Sequence, residues 1–165
     1  MTASVALLAL VTLQRLGELL LARHNTRRLL AEGASEVGRE HYPAIVLLHA
    51  AWLCGLSALA WNREAAVGWV ALYAGLQILR AWILLSLGRR WTTRIIVLPG
   101  VPRVAAGPYR VIRHPNYAVV AAEIAVLPLA FGLPAFALLF SVLNALVLRI
   151  RIRAEDAALE AARQA

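Results

Sequence analysis

Residues 88–117, GRRWTTRIIVLPGVPRVAAGPYRVIRHPNY, form the longest interruption in an otherwise apolar chain of 165 residues. The stretch is rich in arginine, proline and glycine. Its prolines and glycines prevent a continuous helix, while Ile-Ile-Val-Leu at residues 95–98 favours an extended backbone. Extended backbone exposes N–H and C=O groups that need partners, and a polar ligand can supply them. The stretch therefore has the properties of a binding site.

The composition of the chain indicates a membrane protein of one domain, residues 1–165. The hydrophobic fraction is 61%, and the formal net charge is +8 without a single lysine, whereas soluble proteins are about 45–50% apolar. Most of the arginines lie in connectors between apolar runs or after the last run, which is typical of membrane topology and not of a nucleic-acid surface. A single cysteine excludes an intrachain disulfide, and the histidines lack metal-site spacing, so no metal is expected.

Three apolar runs precede the stretch, at residues 3–22, 44–61 and 65–87. About 20 residues make a helix of about 30 Å, which matches the hydrocarbon thickness of a bilayer. The runs contain Arg15, Glu18 and Arg80. For Arg15 and Glu18, snorkelling, mutual neutralisation and a polar contact to the loops or substrate remain open. For Arg80, the alternatives are snorkelling and catalysis. Between the first two runs we predict a short amphipathic helix on the membrane surface.

A second apolar region follows the stretch, at residues 118–148. One straight helix of this length would run about 46 Å, beyond the thickness of a bilayer. Pro128, Gly132 and Pro134 favour two helices that meet near Gly132 and form a hairpin. The prediction is an all-α integral membrane protein with about five transmembrane helices, the last two a helical hairpin. A cytoplasmic loop and a C-terminal amphipathic helix at residues 149–165 complete it.

The distribution of arginines predicts the orientation of the chain. Successive connectors contain four, one, six, none and four arginines, so rich and poor connectors alternate. By the positive-inside rule, the N-terminus lies outside, whereas residues 88–117 and the C-terminal helix face the cytoplasm. Much Ala and Arg without Lys suggests a GC-rich bacterial source, and hence the bacterial inner membrane.

The stretch ends where a helix is predicted to begin. Pro115 suits the first helical position, so Asn116 and Tyr117 fall in the first turn, directly after His114. Free backbone N–H groups and the helix dipole favour negative charge there, and the arginines add positive charge for an anionic or zwitterionic ligand. The alternative is an ordinary basic loop that touches lipid headgroups. The chain has neither the G-x-G-x-x-G motif by which soluble enzymes bind dinucleotides nor a P-loop motif.

Two patterns carry a family resemblance: G-P-Y-R-x-x-R-H-P-N-Y at residues 107–117 and R-I-R-A-E-D-A-A-L at residues 151–159. With the apolar hairpin between them, they resemble the isoprenylcysteine carboxyl methyltransferase family, whose members are integral membrane enzymes that use S-adenosylmethionine. In the N-terminal half, Q-R-L at residues 14–16 and E-V-G at residues 36–38, followed by H-Y, resemble its bacterial branch. That branch is associated with methylation of long-chain alkylpyrones and alkylresorcinols.

The resemblance implies a role for particular residues. Those that it places at S-adenosylmethionine are Val101, Pro102, Arg103, Val104, Tyr109, His114, Pro115, Asn116, Tyr117 and Glu155. It places Arg151 against the reacting group of the substrate, as a catalytic residue. Arg94 stands where eukaryotic members have Gln, so no cofactor role is carried over to it. Their spacing of four residues puts Arg151 and Glu155 on one helix face. The alternative to a role in the site is an exposed ion pair between these two residues.

Glu123 is the nearest intramembrane carboxylate to these motifs. Methyl transfer from a sulfonium is an in-line displacement, which needs alignment and desolvation more than acid–base catalysis. A carboxylate or acidic enol acceptor is already anionic and can be oriented by Arg151, whereas a phenol needs a base. Glu123 is therefore a candidate catalytic base. The alternative is a structural partner of Arg15 or Arg80.

The leading interpretation is a membrane-embedded O-methyltransferase. It would take S-adenosylmethionine from the cytoplasm and a lipophilic small-molecule or prenylated acceptor from the bilayer. Two other interpretations remain open: a sterol-reductase-like membrane enzyme that binds NADPH, and a non-catalytic membrane interaction protein. Membrane lipids are expected as further partners, nucleic acid is not, and the oligomeric state stays open.

Overall fold

A computed structural model describes residues 2–164, with side chains described from residue 3 to residue 162. In this part of the chain, five α-helices and two short strands follow in the order α1 (Thr2–Ala31), β1 (Ser35–Val37), α2 (Tyr42–Ala60), α3 (Val67–Leu87), β2 (Ile95–Val97), α4 (Pro115–Ala130) and α5 (Pro134–Gln164). Two 3-10 turns, Gly88–Arg90 and Gly107–Arg110, lie between α3 and α4. Met1, Ala165 and the side chain of Arg163, one of the tail arginines counted above, lie outside the described part.

Four of the described helices, α1, α2, α3 and α5, are long and apolar enough to cross a membrane. The fifth, α4, is apolar but has only 16 residues. At 1.5 Å per residue it reaches about 24 Å, less than the roughly 30 Å of a bilayer core. The predicted all-α membrane fold is confirmed, with four long helices and one shorter helix where five similar spans were expected.

The predicted hairpin is formed by α4 and α5. Pro128 lies in the last turn of α4, Gly132 adopts a left-handed φ of +65°, and Pro134 begins α5. The carbonyl of Pro128 accepts hydrogen bonds from the backbone N–H groups of Phe131 (3.1 Å) and Leu133 (3.0 Å), which close the turn. Because α5 runs back along α4, its second half lies beside the beginning of α4.

Two predicted helix breaks are wrong. The surface helix expected after residue 22 is the continuation of α1, because residues 23–31 contain no glycine or proline and the extension buries Asn25 and Leu29. The Asn25 side chain donates to the Trp91 carbonyl at 2.8 Å, which fixes this end of α1 to the segment after α3. Likewise, the amphipathic tail is the unbroken second half of α5, since residues 135–164 contain no glycine or proline.

β1 and β2 pair antiparallel, with Glu36 opposite Ile96. The extended run predicted at residues 95–98 is thus confirmed as β2, and its partner strand comes from the connector between α1 and α2. The pairing satisfies backbone groups that would otherwise lack partners beside a membrane. It also joins the N-terminal half of the chain to residues 88–117.

The helices pack around an apolar core that includes Val11, Trp52, Leu56 and Leu127. The Trp52 indole donates to the Ile124 carbonyl of α4 at 3.2 Å. Lipid tails are as apolar as these side chains, so close packing and interhelical hydrogen bonds are what hold membrane helices together. The core therefore depends on fit between α1, α2 and α4.

A neutral cluster of charges lies between α1, α3 and α4. Arg80 donates to both carboxylate oxygens of Glu18 at 2.5 Å and to Glu123 at 2.9 Å. Arg15 bonds Glu123 at 2.7 Å and Glu18 at 3.1 Å, and Gln77 donates to the other Glu123 oxygen at 2.8 Å. Two arginines and two glutamates cancel, as charges within a membrane must. For Arg15 and Glu18, these contacts support mutual neutralisation. Arg80 neither snorkels nor reaches the cleft lining, because it pairs with Glu18 and Glu123.

Candidate active site

A cleft of about 1240 Å³ lies between residues 88–117 and the second half of α5. Ligand pockets measure about 300–1,000 Å³, so the cleft has room for a cofactor-sized molecule and the reacting end of a second one. Ten of the predicted site residues line it: Val101, Pro102, Arg103, Val104, Tyr109, His114, Asn116, Tyr117, Arg151 and Glu155. The hairpin thus brings the two sequence motifs to one place.

Two predicted site residues, Pro115 and Glu123, do not line the cleft. Pro115 is buried in the first turn of α4, where it starts the helix. Glu123 is 0% exposed and accepts hydrogen bonds at both carboxylate oxygens, from Gln77 on one side and from Arg15 and Arg80 on the other. These contacts favour the structural alternative for Glu123 over the catalytic base.

Tyr117 connects the first turn of α4 to α5. Its hydroxyl donates to the Glu155 carboxylate and accepts a hydrogen bond from Arg151 Nε at 2.9 Å. Arg151, which is 7% exposed, also donates through Nη2 to the Thr93 carbonyl at 2.6 Å. Among the described residues, Arg151 Nη1 has no hydrogen-bond partner. A fixed guanidinium with one open nitrogen can orient an anionic or polar acceptor group.

His114 lies between two carboxylates of α5. Its Nε2 is 3.2 Å from Asp156 Oδ1, and its Nδ1 is 3.8 Å from Glu155 Oε2. The imidazole also stacks on the Tyr117 ring, with 5.5 Å between ring centres. Asp156 was not predicted as a site residue. Its position directly after Glu155 in the second motif could have indicated it.

The loop that follows β2 is held at two points along the edge of the cleft. Arg90 Nη1 donates to the Pro102 carbonyl at 2.7 Å, and Arg103 Nη2 lies 3.7 Å from Asp156 Oδ1. One contact starts from the segment after α3 and the other from α5. The predicted loop residues 101–104 are therefore fixed against both walls of the cleft.

Tyr109 adds a hydrogen-bond donor to the cleft. Burial raises the pKa of its phenol well above the usual value, and the nearby Glu155 charge raises that pKa further. The phenol therefore stays protonated at neutral pH and can donate to a ligand.

Arg94 lines the cleft but is already paired. Its Nη1 donates to both carboxylate oxygens of Glu36 at 2.9 Å, and its guanidinium carbon lies 4.7 Å from the centre of the Tyr42 ring. The Tyr42 hydroxyl in turn shares a hydrogen bond of 2.9 Å with Thr93 Oγ1. The first residue of α2 thus supports Thr93, whose carbonyl fixes Arg151. Sequence separation hid this link, since Glu36 and Arg94 are 58 residues apart.

Two buried polar atoms of residues lining the cleft have no hydrogen-bond partner in the described chain: the donor Trp91 Nε1 and the acceptor Asn116 Oδ1. An unsatisfied buried polar group costs about 1–3 kcal/mol. Such groups are therefore usually explained by a missing partner. A ligand that offers both an acceptor and a donor would satisfy them.

Two comparisons with known proteins found a match to this chain. The model of the isoprenylcysteine carboxyl methyltransferase (ICMT) family matches residues 69–161, which include residues 88–117 and the motif on α5. The uncharacterized protein YpbQ of Bacillus subtilis (strain 168) is 42% identical over 159 residues, which cover 93% of this chain and 95% of the relative. No solved protein structure matches the chain. The chain therefore belongs to the isoprenylcysteine carboxyl methyltransferase family and is a membrane methyltransferase of that type.

Proposed function

We propose that the chain transfers the methyl group of S-adenosylmethionine to a carboxylate or acidic hydroxyl of a lipophilic acceptor. The observation that carries this proposal is the junction of His114 and Tyr117 with Arg151 and Glu155 around one cleft. Tyr117 and Glu155 are 38 residues apart, and the hairpin is what brings them into contact. The arrangement unites carboxylates and a fixed guanidinium in a single site.

The lining of the cleft fits S-adenosylmethionine, which carries an adenine, a ribose, an ammonium group and a carboxylate. Glu155 and Asp156 provide negative charge for its cationic groups, while Tyr109 is a neutral donor. The unpaired Trp91 Nε1 and Asn116 Oδ1 supply one further donor and one acceptor. When bound, the cofactor supplies a methyl group on a positively charged sulfur.

The chain's contribution to the reaction is orientation and exclusion of water. Arg151 is fixed by Tyr117 and the Thr93 carbonyl, so its open nitrogen can hold an acceptor oxygen by a charge-assisted hydrogen bond. A carboxylate or an acidic enol is anionic at neutral pH and needs no base. Alignment of two reactants in a partly buried site supplies much of the rate enhancement of such a displacement.

The acceptor is proposed to come from the bilayer, because the site lies where membrane-spanning helices end. A long-chain alkylpyrone or alkylresorcinol, or an isoprenylcysteine-like group, combines an apolar tail with an oxygen for Arg151. The residues that resemble the bacterial branch of the family support an alkylpyrone or alkylresorcinol acceptor. Two of them, Glu36 and Tyr42, contact Arg94 and Thr93 beside the site. We place the chain in a bacterial inner membrane with its site in the cytoplasm, as the arginine distribution predicts.

The direct test is to incubate membranes that contain the chain with methyl-labelled S-adenosylmethionine and a lipid extract. We expect label in a lipophilic product, and none with the Glu155→Ala variant. Identification of that product gives the acceptor. The absence of any protein-dependent labelled lipid or peptide would contradict the proposal.

A ligand titration separates methyl transfer from the reductase alternative. S-adenosylhomocysteine should raise the melting temperature of the purified chain, because a ligand that binds only the folded state stabilises it. NADPH should leave the melting temperature unchanged. The reverse result would favour the reductase.

A further inference from the structure

We propose that a second groove, beside the cleft, binds the headgroup of an anionic phospholipid. This groove has a volume of about 420 Å³ and lies where α1 and α3 end. Its lining combines three arginines, one glutamate and four apolar residues: Arg28, Arg89, Arg90, Glu32, Leu29, Leu87, Leu98 and Val101. Only Arg28, Glu32 and Arg89 line the groove alone, because the other five residues also line the neighbouring cleft. The proposal does not require methyl transfer in that cleft.

The groove carries uncompensated positive charge. Arg28 is paired with Glu32 at 3.0 Å, which leaves the charges of Arg89 and Arg90. Arg90 donates to a neutral carbonyl, that of Pro102, and this bond does not reduce its charge. Arg89 is exposed and makes no hydrogen bond or ion pair with any described residue. Two guanidinium groups on one groove match the oxygens of a phosphodiester.

Two carbonyls at the C-terminal end of α3 have partners other than these two arginines. The backbone N–H of Gly88 already donates to the Leu84 carbonyl. The Gly88 carbonyl accepts from the Trp91 N–H at 3.1 Å and from the Asn25 side chain at 3.4 Å. These carbonyls at the end of the helix thus have partners without a guanidinium, and the charge of Arg89 is available to a ligand.

The groove lies at the boundary between the apolar and polar parts of the fold. Leu85, two residues before the end of α3, is 81% exposed, and Leu30, near the end of α1, is 42% exposed. A phosphate at Arg89 and Arg90 would leave its acyl chains beside these apolar side chains. Basic pockets between transmembrane helices bind anionic lipid headgroups in this way. A free phosphate would use the same guanidinium groups but not the apolar surface.

The test measures the melting temperature of the purified full-length chain in a neutral detergent, with short-chain phosphatidylglycerol, phosphatidylcholine of the same chain length, or inorganic phosphate. We expect only phosphatidylglycerol to raise it. Arg89→Gln should abolish that increase without loss of folding, because Arg89 has no partner among the described residues. Arg153→Gln, which removes an exposed arginine outside the groove, should keep it.

Three results would overturn the proposal. Phosphatidylcholine could stabilise the chain as much as phosphatidylglycerol does. The Arg89→Gln variant could keep the full response. Inorganic phosphate could reproduce the increase, which would assign the groove to a free anion and not to a lipid.

Discussion

The Glu155 carboxylate is a single charge on which two residues of the cleft depend. It accepts the Tyr117 hydroxyl and lies 3.8 Å from His114 Nδ1. Hydrogen bonds to a charged group contribute about 1.5–3 kcal/mol, so Glu155→Gln should weaken binding of S-adenosylhomocysteine by about tenfold or more. Isothermal titration calorimetry measures this change. Glu64→Gln, at the far connector, is the matched control, and equal affinities of the two variants would contradict the role of Glu155.

Glycine is required at position 107 both by the backbone conformation and by the side chains around it. Its φ is +54°, and an added Cβ would overlap the Ser86 hydroxyl oxygen and lie 3.0 Å from Trp82 Nε1. The residue begins the turn that carries Tyr109, so Gly107→Ala should lower both the melting temperature and the affinity for S-adenosylhomocysteine. Gly100→Ala has a similar φ of +70° but open space around the Cβ, so it should cost only about 1 kcal/mol from the backbone. Equal effects of the two substitutions would show that the contact with Ser86 is unimportant.

At the residue scale, the sequence predicted those side chains whose role depends on a motif. His114, Tyr117, Arg151 and Glu155 belong to two recognisable patterns, and all four line the cleft. The parts played by Thr93 and Trp91 could not be predicted, because they arise from a carbonyl and a buried indole that only the folded chain brings to the site.

Among the elements, α5 has a double task, because its first half belongs to the membrane bundle and its second half to the cleft. One alanine inserted between residues 146 and 147 would rotate everything after it by about 100°. Arg151 and Glu155 would then face away from Tyr117. We expect the variant to keep its helix content by circular dichroism but to lose the thermal stabilisation by S-adenosylhomocysteine.

The control for that insertion is one alanine placed after residue 162, beyond the residues that line the cleft. It should leave stabilisation by S-adenosylhomocysteine intact. Wild-type binding by the first insertion variant would mean that the register of α5 does not set the site.

The charge cluster between α1, α3 and α4 should affect the stability of the fold more than the rate of methylation. Glu123→Gln removes one of two negative charges and leaves a buried guanidinium unbalanced, at a cost of about 3–5 kcal/mol. Adding Arg15→Gln restores neutrality and should recover part of this loss, which unfolding in detergent with increasing denaturant can measure. Methylation of a phenolic acceptor, per folded molecule, should be unchanged in Glu123→Gln. A large loss of that activity alone would instead support the catalytic base.

The elements also show where sequence patterns are informative. Pro128, Gly132 and Pro134 determine a backbone turn, and the hairpin was predicted from them. A change from apolar to charged residues does not by itself end a helix, so α1 and α5 continue past the membrane-length runs. β1 has three residues, too few to show the alternation that identifies a strand, whereas β2 was predicted from its β-branched residues.

In the whole molecule, the apolar helices serve as a frame for a polar site at one end. The Trp91 carbonyl accepts from Asn25 of α1, the Thr93 carbonyl accepts from Arg151 of α5, and β1 pairs with β2. Residues 88–117 are therefore fixed by the N-terminal half as well as by the hairpin. The family match begins only at residue 69, but the geometry of its motifs depends on the segment before it.

This frame makes a prediction about topology that labelling can check. In a Cys54→Ala background, single cysteines at Ala106 and Ala157, both exposed, should react with a membrane-impermeant maleimide from the same side. A cysteine at Asn62, in the connector between α2 and α3, should react from the opposite side. Because connectors with many arginines remain in the cytoplasm, the first two should label in inverted vesicles and the third in right-side-out vesicles. Labelling of residues 106 and 157 from opposite sides would contradict the hairpin, whereas labelling of both from outside would contradict only the orientation.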